Sequence, residues 1–497
     1  MNNEISLIET GRNHIIREDY PEAEEIFKKI IQLNPDNAEA HFELGKICYI
    51  QARCPEAIER LKKAIALNQN NAYAHLLLAK SYDAADRHQE AAEEFEKTLK
   101  LGCQDEDVSK ELYQLVQKYN FEGRYELARE LAPELLKAVR PDNVFLRNRL
   151  LNELEIAQGK TFLDSRPRRL TVTLSNKCNL HCIMCLTRYT KWDIPQKVIE
   201  EIYALFPYLE KVMWQGGEVF ALDFFEEILS AGFRYPSLRH SIVTNAQLIS
   251  EKMAERLVAN NVELTVSVDG ITKEVYEHIR KGADFARLIR NLELISRLKS
   301  QHKTNMVLNL NVAVMKSNYR QLEDFIDFAK EYGFGFVCLM PIHIHLKTPE
   351  DIFTNQDTEA LNYITRVSPE IEEKARHYGI RLENRLPRLN EEPAAEVQNE
   401  PQGAISDGIS ARDNKKLLCH IPWQQLLIDY DGSVRPDCLC RIDKSCASLG
   451  DDVSLSQIWN NEMMVEYRKR IVNRDCQDFC NPLCSSGKIT ESHLKIP

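Results

Sequence analysis

The stretch that decides the reading is Ser175-Asn176-Lys177-Cys178-Asn179-Leu180-His181-Cys182-Ile183-Met184-Cys185. Its cysteines are spaced C-x3-C-x2-C and follow a short run rich in Thr and Val, residues 170–175. Three thiolates this close in one loop can hold three corners of a cubane iron–sulfur cluster. The fourth iron then lacks a cysteine ligand. An open coordination position is a catalytic device, because structural metal sites are normally closed. Zinc would more naturally use two C-x2-C pairs.

Outward from this loop, apolar runs rich in Val, Ile and Thr alternate with helical stretches. The runs are 170–175, 211–215, 240–244, 263–268, 306–314 and 334–341, with helical periodicity between them, as in 196–205 and 319–331. Six strand–helix units in order predict a parallel sheet, as an open sheet or a partial barrel. Functional residues then belong at the C-terminal ends of the strands. The second run ends in Gln215-Gly216-Gly217-Glu218, where glycines let a ligand approach the backbone and a carboxylate can accept from an ammonium. The third ends in Thr244-Asn245-Ala246, the fourth in Ser267-Val268-Asp269-Gly270, and Arg280 follows in Tyr276-Glu277-His278-Ile279-Arg280. Asp269 reads as the cap of the next helix. His343 and His345 read as polar residues at the end of the sixth strand.

The cysteine triplet after the first strand resembles the hallmark of the radical SAM enzymes, over roughly residues 166–345. The resemblance implies a four-iron cluster held by Cys178, Cys182 and Cys185, with S-adenosylmethionine on its open iron. It also implies cofactor contacts at Gly216, Gly217, Glu218 and Asn245. Glu218 belongs to the element that holds the methionyl amino group, and Ser267 to the ribose or carboxylate contact. A cation is wanted for the methionyl carboxylate. Arg280 is the candidate, its alternative being a solvated arginine at a helix end. The residue before the third cysteine is often aromatic in the family and contacts adenine. Here it is Met184, which can pack on a purine.

Residues 391–416 read as a loop or mobile linker. Cys419-His420-Ile421-Pro422-Trp423 follows, then an apolar run, an Asp431-Gly432 turn and Val434, a hairpin pattern. Cys438 and Cys440 come next, then Cys446, a short helix at 455–460, and Cys476, Cys480 and Cys484. This order resembles the SPASM extension of radical SAM enzymes, which binds one or two auxiliary iron–sulfur clusters. Many relatives end in C-x2-C, whereas this chain ends in C-x3-C-x3-C. Cys419, Cys438, Cys480 and Cys484 are the preferred ligands, with Cys476 as substitute and Cys440 and Cys446 as extra ligands or thiols. A structural zinc site is the competing reading.

The first 143 residues repeat. Gly11, Gly45 and Ala79 are 34 apart, as are Ala23, Ala57 and Ala91, and Phe27, Leu61 and Phe95. A fourth unit, around Ala128 and Pro141-Asp142-Asn143, is about three residues longer. Period 34 with small residues at fixed offsets predicts paired antiparallel helices, with Phe27 and its equivalents filling the space between units. These residues resemble the tetratricopeptide repeat, whose stack implies a concave surface for a peptide or protein, with Asn13, Glu43 and Tyr73 as polar candidates along it.

The expected architecture is thus multidomain, α and α/β. A tetratricopeptide solenoid occupies 1–145 and a linker 146–165. A partial (β/α)6 barrel at 166–345 forms the radical SAM core. A helical and loop connector spans 346–416, and a small cysteine-rich iron–sulfur domain spans 417–497. The 497 residues carry 64 Lys and Arg against 75 Asp and Glu, a net charge of −11, which argues against non-specific nucleic-acid binding. No apolar run is long enough for a transmembrane helix and the N-terminus lacks a signal-peptide pattern, so the cytosol is expected. There, 14 cysteines point to metal or catalysis rather than disulfides, while Cys48, Cys54, Cys103 and Cys338 read as small buried hydrophobes. The leading function is radical chemistry on a peptide or protein recruited by the repeats, with an electron donor such as flavodoxin or ferredoxin. The rivals are the same chemistry on a small molecule or sugar, and a scaffold with structural or redox-sensing clusters.

Overall fold

The computed structural model describes residues 2–102, 106–185, 191–342, 348–387, 419–437, 447–449, 453–473 and 475. The chain forms two compact units that divide at residue 160.

The first unit is helical. Its helices are α1 (Asn2–Ile16), α2 (Tyr20–Leu33), α3 (Ala38–Ile50), α4 (Cys54–Leu67), α5 (Ala72–Ala84), α6 (His88–Gly102), α7 (Glu106–Phe121), α8 (Tyr125–Ala138) and α9 (Val144–Ala157). The repeat acts locally. Asn37, Asn71 and Asn143 open α3, α5 and α9 by accepting from the backbone N–H three residues on. Glu18, Ala52 and Asp86, spaced by 34 like the sequence repeat, take positive φ in the turns within the pairs. Phe27 lies over Gly11, and Leu61 over Gly45. These large residues therefore fill the gap inside a pair, not only the space between units as the spacing suggested. Glu43 is buried and paired with Arg12, Asn13 is exposed, and Tyr73 is half-buried against Phe42.

The boundary expected at 145 falls inside structure. Residues 146–165 are not a linker, because α9 fills most of them. It packs on α8, Leu146 and Leu150 join the apolar core of the helical unit, and buried Asn120 of α7 donates to both the carbonyl (2.9 Å) and the carboxylate (2.7 Å) of Glu153. After α9, the segment 161–168 is tied to the C-terminal helices Leu455–Trp459 and Glu462–Val472. Trp459 Nε1 donates to Ser165 O at 2.7 Å, and buried Arg468 donates to Thr161 O at 2.9 Å and Pro422 O at 2.9 Å.

The second unit is built on one sheet: β1 (Arg169–Thr173), β2 (Lys211–Gln215), β3 (Arg239–Thr244), β4 (Glu263–Ser267), β5 (Leu308–Val314), β6 (Phe336–Pro341), β7 (Arg381–Asn384), β8 (Gln425–Ile428), β9 (Ser433–Arg435) and β10 (Ala447–Ser448). The spatial order is β10-β9-β8-β1-β2-β3-β4-β5-β6-β7. The six expected strands run parallel and in sequence order. One set of alternate residues, including Val172, Trp214, Ile242, Leu264, Leu310 and Leu339, is fully buried.

Two strands extend this set. β7 adds to β6 after the helix Thr358–His377, inside the expected connector. On the other side, β8 pairs parallel with β1 and turns antiparallel into β9. The predicted hairpin exists, but it belongs to the same sheet as the core. The rest of the expected linker, and His343 and His345, lie outside the described residues.

Candidate active site

The three cysteines stand where the first strand ends. Cys182 is buried and Cys178 and Cys185 are half-buried. The loop is fixed on three sides. Toward β2, Gly217 N–H donates to Ser175 O at 2.7 Å and Glu218 N–H to Lys177 O at 2.9 Å. Toward β4, His181 N–H donates to Lys281 O at 2.9 Å and Ile183 N–H to Ile279 O at 3.0 Å, so Cys182 sits between two backbone clips. Toward β8, Asn176 Nδ2 donates to Tyr430 O at 2.9 Å, in the turn between β8 and β9.

The two glycines after β2 are required by the fold itself. A β-carbon at Gly217 would stand 2.1 Å from Lys177 O, and at Gly216, where φ is +147°, 2.3 Å from Ser175 O. What approaches these glycines is the backbone that leads into Cys178. Glu218, the expected ammonium acceptor, already has partners within the fold. Its carboxylate is buried and accepts from Thr244 Oγ1 at 2.8 Å, Asn245 N–H at 2.8 Å and Phe220 N–H at 3.3 Å. It braces the end of β3 against the end of β2, and burial raises its pKa above the usual carboxylate value.

Asn245 faces the cysteine loop. Its Nδ2 donates to Asn179 Oδ1 at 2.9 Å and lies 3.9 Å from Cys178 Sγ. Ser267, half-buried, ends β4 in register with Asn311. Asp269 is not a helix cap: Thr272 caps the helix Lys273–Ile279. Asp269 is buried, accepts from Ala313 N–H at 2.8 Å through Oδ1, and holds Arg280 through Oδ2 at 2.6 Å. Arg280 is buried too, so it is not a solvated helix-end residue. Met184 and Ile183 pack on an apolar cluster of Ile279, Met315 and Ile342.

This donor set fits an iron–sulfur cluster. All three side chains are thiols, and the Leu180 N–H donates to Cys178 Sγ at 3.3 Å. Backbone N–H groups aimed at ligand sulfurs are how a protein stabilises such a centre. Burial, the largest cause, pushes the Cys182 thiol up to about 11; bound metal takes the proton's place. In the C-terminal region Cys419 is half-buried before the helix Ile421–Gln424, which leads into β8. Cys438, Cys440, Cys446, Cys476, Cys480 and Cys484 lie outside the described residues.

Comparison with known proteins joins this geometry to a family. A model of the radical SAM superfamily matches residues 172–329. The chain carries a radical SAM domain. An iron–sulfur cluster-binding domain model of the SPASM type matches 419–485, and tetratricopeptide models match 9–53 and 45–84. Together the radical SAM and SPASM regions imply four-iron clusters and S-adenosylmethionine as cofactors.

Among relatives, the GTP 3′,8-cyclase of Synechocystis sp. is 31% identical over 219 residues, 41% of this chain and 64% of that one. The chain thus spans 60–64% of the length of the cyclases it matches. The cysteine-type anaerobic sulfatase-maturating enzyme of Clostridium novyi is 23% identical over 344 residues, 63% of this chain and 85% of that one. The crystal structure of Streptococcus suis SuiB aligns with a TM-score of 0.48 and 14% identity over 84% of this chain and 89% of that one.

Sequence reasoning missed Trp192 and Asp193. Trp192 Nε1 donates to Thr173 O at 2.8 Å and its carbonyl accepts from Asn176 N–H at 2.9 Å; Asp193 accepts from Ser175 Oγ at 2.5 Å. Both reach back to β1 across the cysteine loop, a long-range contact that no local spacing encodes.

Proposed function

We propose that this protein is a radical SAM enzyme that modifies a peptide or protein. The observation that carries the reading is the three-thiol loop at the C-terminal end of β1, clipped by backbone hydrogen bonds on two sides and by the Asn176 side chain on a third. With its cluster loaded and one electron from a donor such as flavodoxin or ferredoxin, the site supplies reductive cleavage of S-adenosylmethionine to methionine and a 5′-deoxyadenosyl radical, which takes a hydrogen atom from the substrate.

The chain's own residues do the rest. Cys178, Cys182 and Cys185 hold the cluster. Gly216 and Gly217 let the end of β2 lie against the cysteine loop, and Glu218 fixes the ends of β2 and β3 to each other. Asn245 and Ser267 offer an amide and a hydroxyl at adjacent strand ends, suited to orienting the cofactor's polar groups. Cys419, with Cys438, Cys480 and Cys484, and Cys476 as substitute, supplies ligands to an auxiliary cluster.

The peptide reading draws on the repeats and on the sulfatase-maturating relative, the broader of the two sequence matches. The small-molecule reading draws on the GTP cyclase, the more identical but shorter match. Both readings place the enzyme in the cytoplasm; no described helix is long and apolar enough to cross a membrane.

The test is a triple change of Cys178, Cys182 and Cys185 to Ala in anaerobically reconstituted protein. One four-iron cluster and all 5′-deoxyadenosine formation disappear, while iron and sulfide of the auxiliary site remain. Residual cleavage sinks the radical reading. Zinc, or no metal, in the triple variant sinks the auxiliary cluster. Anaerobic capture on the full chain, with mass spectrometry of what is retained, separates peptide from small-molecule substrates.

A further inference from the structure

Arg280 has the chemistry to meet the carboxylate of S-adenosylmethionine, yet the structure ion-pairs its guanidinium to Asp269 and leaves only Nε without a hydrogen-bond partner. Nη2 lies 2.6 Å from Asp269 Oδ2, and Nη1 lies 4.0 Å from Cys182 Sγ. Asp269 is itself pinned, its Oδ1 by Ala313 N–H at 2.8 Å and its carbonyl by Asn318 Nδ2 at 2.9 Å. The backbone on either side of Arg280 is used as well. Ile279 O and Lys281 O accept from Ile183 and His181, the two neighbours of Cys182. Four elements therefore converge on one cysteine: the end of β4, the helix Lys273–Ile279, the end of β5 through Ala313, and the cysteine loop.

We infer that Arg280 is a positioning residue for Cys182 and its cluster, holding the loop and setting the cluster's reduction potential, and that it does not bind the methionyl carboxylate. The inference rests on the reading of the triplet as cluster ligands. A cation and an N–H donor beside a ligand sulfur stabilise the more negative, reduced cluster. Asp269 determines where that cation stands. It offsets part of the charge and keeps the guanidinium aimed along the loop rather than out toward solvent.

The experiment uses the full chain, reconstituted anaerobically. Changing Arg280 alone to a neutral residue leaves Asp269 as a buried unpaired charge, which threatens folding. The informative variants are Arg280→Lys and the double change Asp269→Asn with Arg280→Gln. Two quantities are read: the midpoint potential of the reduced-cluster resonance that responds to added S-adenosylmethionine, and the dissociation constant of S-adenosylmethionine for the oxidised protein.

The double variant is expected to move the potential to more negative values. Arg280→Lys, which keeps the charge, stays nearer the wild type. In both, affinity for S-adenosylmethionine stays within about twofold. A lost arginine–carboxylate pair would instead weaken binding by about tenfold or more. An unmoved potential in the double variant overturns the inference, and so does tenfold weaker binding. Absence of any S-adenosylmethionine-responsive resonance in the wild-type protein is a different failure, because it removes the cluster reading itself.

Discussion

Gly432 lies so close to the indole of Trp192 that a β-carbon on it would stand 2.3 Å from Cζ3. Gly432 turns the hairpin of the cysteine-rich region with φ +77°, and Trp192 is hydrogen-bonded across the segment that leads into Cys178. The hairpin thus presses on the residue that supports the first cysteine loop.

Gly432→Ala therefore costs more than a surface glycine would. Left-handed strain and the clash together are expected to remove about 1–3 kcal/mol of stability. The variant's first cluster should lose iron to a chelator faster than wild type. Trp192→Phe, which shortens the ring system, should recover part of the loss when combined with it. Denaturation midpoints for the two single variants and the double give the coupling. A sum without coupling would show that the contact is not the cause.

Glu218→Gln tests whether that carboxylate is a brace. Its two oxygens face only donors: the Thr244 hydroxyl, the Asn245 N–H and the Phe220 N–H. A glutamine must turn an NH2 toward at least one of them, leaving a buried mismatch worth about 1–3 kcal/mol. The expected signature is a lower denaturation midpoint with cluster content retained in the folded fraction. A variant as stable as wild type would free Glu218 for direct cofactor binding.

The six core strands were legible because each is a short β-rich run bounded by a helical pattern, and the repeat because small residues such as Ala23, Ala57 and Ala91, and the large Phe27, Leu61 and Phe95, recur with its period. β8 was legible as half of a hairpin, but its neighbour was not. Pairing Leu426 with Leu170 joins residues far apart in the chain, and no local pattern specifies that partner. Arg280 illustrates the same limit at the site. Its type and position suggested a carboxylate partner, and it has one, but that partner is Asp269, buried with it. Gly216 and Gly217 were read as a place where a ligand approaches the backbone; that the cysteine-loop backbone also lies against them was invisible until the loop was folded over them.

His240 sets a pH limit on the core. Its Nδ1 accepts from Trp214 Nε1 at 3.0 Å and its ring stacks on the same indole, so the buried imidazole is held neutral. Burial lowers its pKa to about 4 from 6.5. Between those values the unfolded chain binds a proton that the folded chain refuses. Stability is thus fully present above the unfolded pKa and falls as pH drops toward 4, by about 2 kcal/mol between pH 7 and 5. His240→Gln keeps an acceptor for the indole and cannot titrate. Its urea midpoint is expected to fall less than that of wild type over the same interval. Parallel lines for the two proteins would remove His240 as the source.

The last prediction joins the repeats to the chemistry, and the structure determines where to cut. Removal of residues 1–145 severs α9 from α8 and leaves Leu146, Leu150 and the Glu153 carboxylate without the partners that bury them. Removal of 1–160 takes the whole helical unit and spares Thr161, which Arg468 holds. The shorter deletion is expected to aggregate. The longer one should retain both kinds of cluster and cleave S-adenosylmethionine without substrate at the wild-type rate. If the repeats recruit a peptide, they raise its effective concentration at the radical site, so their loss appears mainly as a raised KM for that peptide with kcat little changed. A small molecule that binds only the strand ends would not register the deletion. Turnover of the native substrate with unchanged kcat/KM by residues 161–497 would therefore take recognition away from the repeats and give the small-molecule reading the lead.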